Sequence, residues 1–403
     1  MDAGGSSPLY ARIRGAAEAR GEAPAIVSGE RVVTYGALLE LGHRLAARLK
    51  ASLGSGANRL VAVIGTPCPE MVAAMLAVLE NGWTYLPLDR DHPRARNQSI
   101  LEDAGADAAM VVGPDGQVEL SGAGARTLDE RTREQLRRCA YVMYTSGSTG
   151  APKGSAAPVA GVLNVLDFMR ERFGVGPSST VLGVTNFSWD LSVPDIYLPL
   201  TSGGRLALPP PGQLGDPGAA ARAMERWDVD LMQAAPSMWR LLVDSGWPGR
   251  PGLLAVAGGE ALPEALARQL LSRCRELWNF YGPAECTVWS TCRRVQDPER
   301  ISLGFALPGT TVHVLRGDGG LAAPGEPGEI AISGVGVADG YLARPELTRE
   351  KFITLDAPGG KVAAYRTGDL GTLTAEGELF FQGRADLMLK IRGHRVEARE
   401  IEG

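Results

Sequence analysis

Ala140-Tyr-Val-Met-Tyr-Thr-Ser-Gly-Ser-Thr-Gly-Ala-Pro-Lys-Gly154 sets an apolar stretch directly before a loop of glycines and hydroxyls that closes on a lysine. The first part reads as a buried strand. In the second, Gly147, Gly150 and Gly154 let backbone N–H groups converge. Thr145, Ser146, Ser148 and Thr149 add hydroxyl donors and Lys153 adds fixed positive charge, the chemistry that holds a polyphosphate. A flexible Ser/Gly linker is the plain alternative, but a strand immediately before the loop and a lysine inside it weigh against that. The loop also departs from the P-loop pattern, since no glycine precedes Lys153 directly and no Ser or Thr follows it, which disfavours kinase or motor chemistry.

On both sides of this stretch apolar strands alternate with amphipathic segments. Leu60-Val-Ala-Val-Ile64, Thr84-Tyr-Leu-Pro-Leu88 and Ala108-Ala-Met-Val-Val112 are separated by helical patterns near 68–79 and 94–104. The rhythm returns with strands at 180–184, 205–208, 231–233 and 253–256 and helical patterns at 217–227 and 263–271. This predicts an α/β fold with two doubly wound, mainly parallel sheet subdomains within 1–300. From about 301 the helical patterns stop. Short strands at 311–315, 329–332 and 377–382, set between Gly, Pro and Asp turns, predict a smaller β-rich, barrel-like subdomain over 301–383. Residues 384–403 then read as a hinge and the start of a further unit.

Composition narrows the classes. The 403 residues are 44% apolar and 22% charged, which argues against disorder, collagen and coiled coil. Forty-one basic against forty-six acidic residues give a formal charge of −5, with no basic run to track a nucleic acid. The start lacks a signal peptide, and no apolar run reaches the roughly 18 residues of a membrane span. A soluble cytoplasmic protein without a membrane partner is expected. Five cysteines without CxxC spacing and four scattered histidines argue against disulfides and structural zinc.

The loop at 144–154 resembles the phosphate-binding signature of adenylate-forming enzymes, specifically the adenylation domains of nonribosomal peptide synthetases. The same family order continues in Asn279-Phe-Tyr-Gly-Pro-Ala-Glu285, Tyr365-Arg-Thr-Gly-Asp-Leu370 and Gly383-Arg-Ala-Asp386, then Lys390-Ile-Arg-Gly393. Val33-Thr-Tyr35, Tyr85-Leu-Pro-Leu-Asp89, Gly328-Glu-Ile-Ala-Ile-Ser-Gly334 and Gly340-Tyr341 extend the match over nearly all of the chain. The resemblance implies ATP and Mg²⁺ as cofactors, an amino acid as substrate and the pantetheine thiol of a carrier protein as downstream acceptor; a small helper protein is left open as a further partner.

The residues support these assignments independently. Tyr281 can stack on a purine, Gly282 and Pro283 shape a turn, and Glu285 offers hard oxygen to Mg²⁺. Asp369 can accept from both ribose hydroxyls, and Arg384 presents a fork of donors to the sugar or its phosphate. The bland alternatives are a solvated turn for the first and an Asp turn or surface ion pair for the second. By resemblance, Gly259, Glu260 and Asn279 join the nucleotide site with Gly147 and Gly150. Thr145, Lys153 and Glu285 take the catalytic role, and Asp386 is the hinge.

Asn186-Phe-Ser-Trp-Asp190-Leu-Ser-Val-Pro194 resembles the family's substrate-pocket segment. There Asp190 would pair with an α-ammonium, which cannot be buried cheaply without a charge partner. The same resemblance makes Leu191, Pro194, Gln233, Val256, Gly258, Phe280, Val288 and Trp289 the pocket walls. Bulky Phe280 and Trp289 point to a small amino acid, glycine first and alanine or another small residue next, although Pro194 departs from glycine-type sets. Two alternatives stay open: an acyl-CoA or aryl-acid ligase, against which Asp190 argues, and a non-catalytic scaffold of the same fold. Three departures keep the second alive. Ser155-Ala-Ala-Pro-Val159 lacks the usual histidine, Ala284 replaces the usual threonine, and only 17 residues follow Asp386, where the family carries a small domain with a catalytic lysine.

Overall fold

The computed structural model describes residues 5–56, 58–122, 126–145, 152–385, 388–391 and 394–397. The chain divides into two units: Met1–Tyr144, Ala156–Val159 and Met169–Asp230 form one, and Thr145–Ser155, Ala160–Phe168 and Leu231–Gly403 the other.

In the first unit the strands Val118–Gly122, Ala108–Val112, Leu60–Gly65, Thr84–Asp89 and Cys139–Thr145 lie side by side in that order. Leu60–Gly65 runs parallel to both Ala108–Val112 and Thr84–Asp89, as the βαβ rhythm predicts, while Val118–Gly122 at the edge pairs antiparallel. Parallel strands need both faces covered, and Pro69–Glu80 is buried along almost its whole length for that reason. Four further strands of this unit order as Thr180–Leu182, Arg205–Leu208, Pro24–Ser28 and Arg31–Thr34, the first three parallel.

The second unit begins with the parallel strands Leu231–Ala234, Arg250–Gly258 and Cys274–Tyr281, to which Thr291–Val295 and Phe305–Ala306 add antiparallel. A five-stranded antiparallel sheet follows, ordered Thr310–Leu315, Pro327–Gly334, Gly360–Leu373, Phe352–Ala357, with Leu379–Arg384 also on Gly360–Leu373. Its core is Val312, Val314, Ile330, Ile332, Tyr365 and Leu379, the alternate residues of their strands.

The mixed α/β class and parallel strands are those the sequence predicts, and Arg94–Ala104, Ala108–Val112 and Arg205–Leu208 fall on the expected bounds. One expectation is corrected. The region after 301 is not free of helices, because Pro345–Lys351 is helical. This helix buries none of its residues, so it carries no apolar periodicity to read; Pro345 at its first position starts it.

Candidate active site

The second unit gathers most of the expected residues. Lys153 opens the strand Lys153–Pro158 and is only 3% exposed, and Glu285, in the 3₁₀ turn Ala284–Cys286, is 0% exposed. Nζ of Lys153 lies 3.2 Å from Oε1 of Glu285. It also donates to Tyr341 Oη at 2.7 Å, and that hydroxyl donates to the same Oε1 at 2.7 Å. Tyr365 Oη completes the cluster 3.1 Å from Tyr341 Oη. Burial, then the charge of Glu285, push the Tyr341 phenol far above the usual range, so it stays a hydrogen-bond donor. Sequence reasoning gives Tyr341 and Tyr365 no role, although both stand in matched family segments, Gly340-Tyr341 and Tyr365-Arg-Thr-Gly-Asp-Leu370.

Thr145 Oγ1 is buried and finds no hydrogen-bond partner among the described residues. The paired ammonium of Lys153 and carboxylate of Glu285 are groups whose chemistry fits polyphosphate and a divalent cation, and the orphaned Thr145 hydroxyl is a further donor that suits phosphate. Ser146, Gly147, Ser148, Thr149 and Gly150, expected around the phosphates, lie outside the described residues, as does Asp386.

A second constellation forms where Gly360–Leu373 pairs with Leu379–Arg384, setting Asp369 opposite Arg384. The Arg384 guanidinium donates to Asp369 Oδ1, and Tyr281 Oη donates to Oδ2 at 2.6 Å. Asp369 is 4% exposed, and Thr367 Oγ1 accepts from its backbone N–H at 3.0 Å. Burial first, then Asp369, push the Tyr281 hydroxyl well above the phenol range. The sugar and base candidates Asp369, Arg384 and Tyr281 are thus one connected group.

Asn279 and Glu260 are engaged elsewhere. Asn279 Nδ2 donates to Ser302 O at 2.8 Å. The Glu260 carboxylate accepts from Ser237 N at 3.0 Å and Ser237 Oγ at 3.2 Å, in the first turn of Pro236–Asp244, where negative charge suits the helix dipole. Gly259, with φ of +83°, leads into Glu260 from the strand Arg250–Gly258.

The pocket candidates of this unit pack as one wall. Trp289 Nε1 donates to Gln233 Oε1 at 2.7 Å, both side chains fully buried, and the Phe280 ring meets Trp289 edge-on at 5.5 Å. A Cβ at Gly258 would lie 2.4 Å from Trp289 Cη2, so no other residue fits there. Val256 is buried, and its carbonyl accepts from Trp239 Nε1 at 3.0 Å. Gly282 lies in the loop closed by Ser290 N donating to Tyr281 O at 2.8 Å. Within that loop Thr287 and Val288 take φ of +60° and +66°, and Trp289 N donates to Thr287 O at 2.8 Å, a tight turn centred on Val288. Left-handed backbone at β-branched residues costs about 1–3 kcal/mol each and persists where the surroundings fix it. Here Thr287 Oγ1 donates to Gly336 O at 2.7 Å.

Asp190 belongs to the first unit. It is half-buried ahead of the helix Ser192–Thr201, with Leu191 at the N-cap and Pro194 buried in the first turn. Its segment is anchored from the strand Thr84–Asp89: Asn186 Nδ2 donates to Asp89 Oδ2 at 2.6 Å, and Asn186 Oδ1 accepts from Ser188 N and Oγ at 3.0 and 2.9 Å. Burial, and after it the charge of Asp190, raise the Tyr141 hydroxyl well above its ordinary value. No helix among the described residues is long and apolar enough to cross a membrane.

The sequence matches the AMP-binding enzyme family over residues 13–342, and the chain belongs to that family. Its relatives include nonribosomal peptide synthetases, of whose length the chain spans only a part. A dimodular nonribosomal peptide synthase of Bacillus subtilis (strain 168) is 36% identical over 94% of this chain, which spans 17% of that protein's length. A D-alanine–D-alanyl carrier protein ligase of Bacillus velezensis is 32% identical over 98% of this chain and 82% of its own length. Among solved structures, a four-domain nonribosomal peptide synthetase bound to AMP and glycine is 34% identical, with a TM-score of 0.84 over 98% of this chain and 30% of that one.

Proposed function

We propose that this chain activates a small α-amino acid, glycine first and alanine next, as an aminoacyl-adenylate. The amino acid carboxylate attacks the α-phosphorus of ATP, the bond to the bridging oxygen breaks, and pyrophosphate leaves. The adenylate then goes to the pantetheine thiol of a carrier protein, in the cytoplasm. The observation that carries the small substrate is the closed wall: Trp289 is locked by Gln233 at 2.7 Å and by Phe280, with only hydrogen tolerated at Gly258. The glycine-bound relative and the D-alanine ligase favour the same reading.

In this reading Lys153, Thr145 and the loop 146–150 hold the phosphates, Tyr281, Gly259 and Gly282 border the base, and Asp369 and Arg384 hold the sugar. Glu285 would hold Mg²⁺, which supplies charge neutralisation at the phosphates when bound. The protein contributes positioning and fixed charge, which suits a reaction needing little covalent help. Asp190 takes the α-ammonium, and Asp386 is the hinge. Asn279 and Glu260 join the nucleotide site, each side chain oriented by its contact with Ser302 or Ser237.

Thermal unfolding with non-hydrolysable aminoacyl-adenylate analogues tests this. Glycyl and alanyl analogues should stabilise the chain by about 2.7 kcal/mol at a hundredfold excess over Kd. A larger shift with the leucyl, phenylalanyl or aryl-acid analogue would overturn the substrate assignment, and no shift with any analogue or with ATP would overturn the activity.

A further inference from the structure

We infer that Tyr341 is a positioning residue for Glu285, fixing that carboxylate for the divalent cation that accompanies ATP; this rests on reading Glu285 as the cation's ligand. Lys153 and Glu285 are both withdrawn from water, 3% and 0% exposed, and an ion pair so buried is held in place only when further hydrogen bonds complete it. The Tyr341 hydroxyl completes it from both sides, accepting from Lys153 Nζ and donating to Glu285 Oε1, each at 2.7 Å. These distances are shorter than the 3.2 Å between the two charges themselves, so the phenol is the tighter link of the triangle.

The backbone around Tyr341 is built for this placement. Leu342 N donates to Gly154 O at 2.9 Å and Tyr341 forms an antiparallel bridge with Ser155, so the ring leaves the chain beside the strand that starts at Lys153. Tyr341 N donates to Thr348 Oγ1 at 3.0 Å. Gly340, at φ +125°, admits that threonine where a Cβ would lie 2.4 Å from its Cγ2. The ring is clamped by Phe352, edge-on at 5.3 Å, and its hydroxyl by Tyr365 at 3.1 Å. On the other side, Ala338 N donates to the Glu285 carbonyl at 2.9 Å, tying the segment that carries Tyr341 to the turn that carries Glu285. When a cation takes the carboxylate and phosphate takes the ammonium, the phenol still holds the carboxylate's orientation, as outer hydrogen bonds do for metal ligands generally.

Tyr341→Phe removes the hydroxyl and keeps the ring against Phe352. The test is thermal unfolding of the full chain with a non-hydrolysable ATP analogue at fixed concentration, titrated with MgCl₂, and repeated with the analogue in EDTA. The Mg²⁺ midpoint should rise about tenfold or more, a clearly larger loss than the analogue shows in EDTA, where only the hydroxyl's contact with Lys153 is felt. Glu285→Gln sets the ceiling, and adding Tyr341→Phe to it should change the midpoint by less than about twofold, because both act through one carboxylate. A parent-like midpoint in Tyr341→Phe beside a shifted one in Glu285→Gln overturns the role of Tyr341 alone. An unshifted Glu285→Gln overturns the cation assignment and this inference with it. Equal losses with Mg²⁺ and in EDTA would make Tyr341 a shaping residue and contradict the inference. If Tyr341→Phe shows no cooperative unfolding transition, Tyr365→Phe replaces it with an expected shift of about threefold, and an unchanged midpoint there overturns the inference.

Discussion

Glu285 and Asp195 are both withdrawn from water, 0% and 1% exposed, yet the two units keep them differently. Glu285 receives a lysine ammonium and a phenol. Asp195 receives hydrogen bonds from Thr185 and Val184, and burial nevertheless pushes its carboxyl well above the ordinary range. A buried carboxylate beside a cation has its charge offset by that partner. For Asp195, in the helix Ser192–Thr201, burial outweighs the hydrogen bonds from Thr185 and Val184 and favours the neutral form.

Removing the cation should break this difference most severely. Lys153→Met leaves Glu285 buried without its counter-charge and should cost about 3–5 kcal/mol in thermal or chemical unfolding. A melting curve that matches the parent would deny the pair its structural role. Next in size, Gln233→Leu strands the buried Trp289 indole N–H and should cost about 1–3 kcal/mol, with the leucyl-adenylate analogue gaining on the glycyl one as the wall loosens. An unchanged analogue preference would remove Gln233 from the specificity account.

At Asp195 the sign of the effect carries the information. Its folded pKa lies above the unfolded value of about 4, so the native state holds the proton more tightly and stability falls as pH rises from that value toward the folded one. Asp195→Asn cannot ionise, so parent and variant should diverge with rising pH, the variant being the more stable. Parallel stability curves across that window would show that Asp195 stays charged in the fold.

The order of glycine, proline and charged motifs was legible because each is local: a turn, a loop or a strand end is written in neighbouring residues. Arg94–Ala104 and Arg205–Leu208 were legible for the same reason, their apolar spacing being self-contained. What joins the motifs was not. Lys153 meets Tyr341 across 188 positions, and Tyr341 meets Glu285 across 56, contacts that only the folded sheet creates. Gln233 likewise meets Trp289 across 56 positions, which turns two expected wall residues into one locked unit. The helix Pro345–Lys351 escaped because it is short and packs only one apolar residue, Leu347, on the core, and the left-handed turn at Thr287 and Val288 because β-branched residues give no local sign of positive φ.

Amino acid recognition through Asp190 is the central claim, and calorimetric titration of the glycyl-adenylate analogue into the parent chain and Asp190→Ala tests it most directly. The account predicts a Kd raised about a hundredfold in Asp190→Ala, with AMP binding unchanged in both, as expected when one charge-assisted contact to the ammonium is lost. Equal Kd values for the analogue in the two proteins would contradict it.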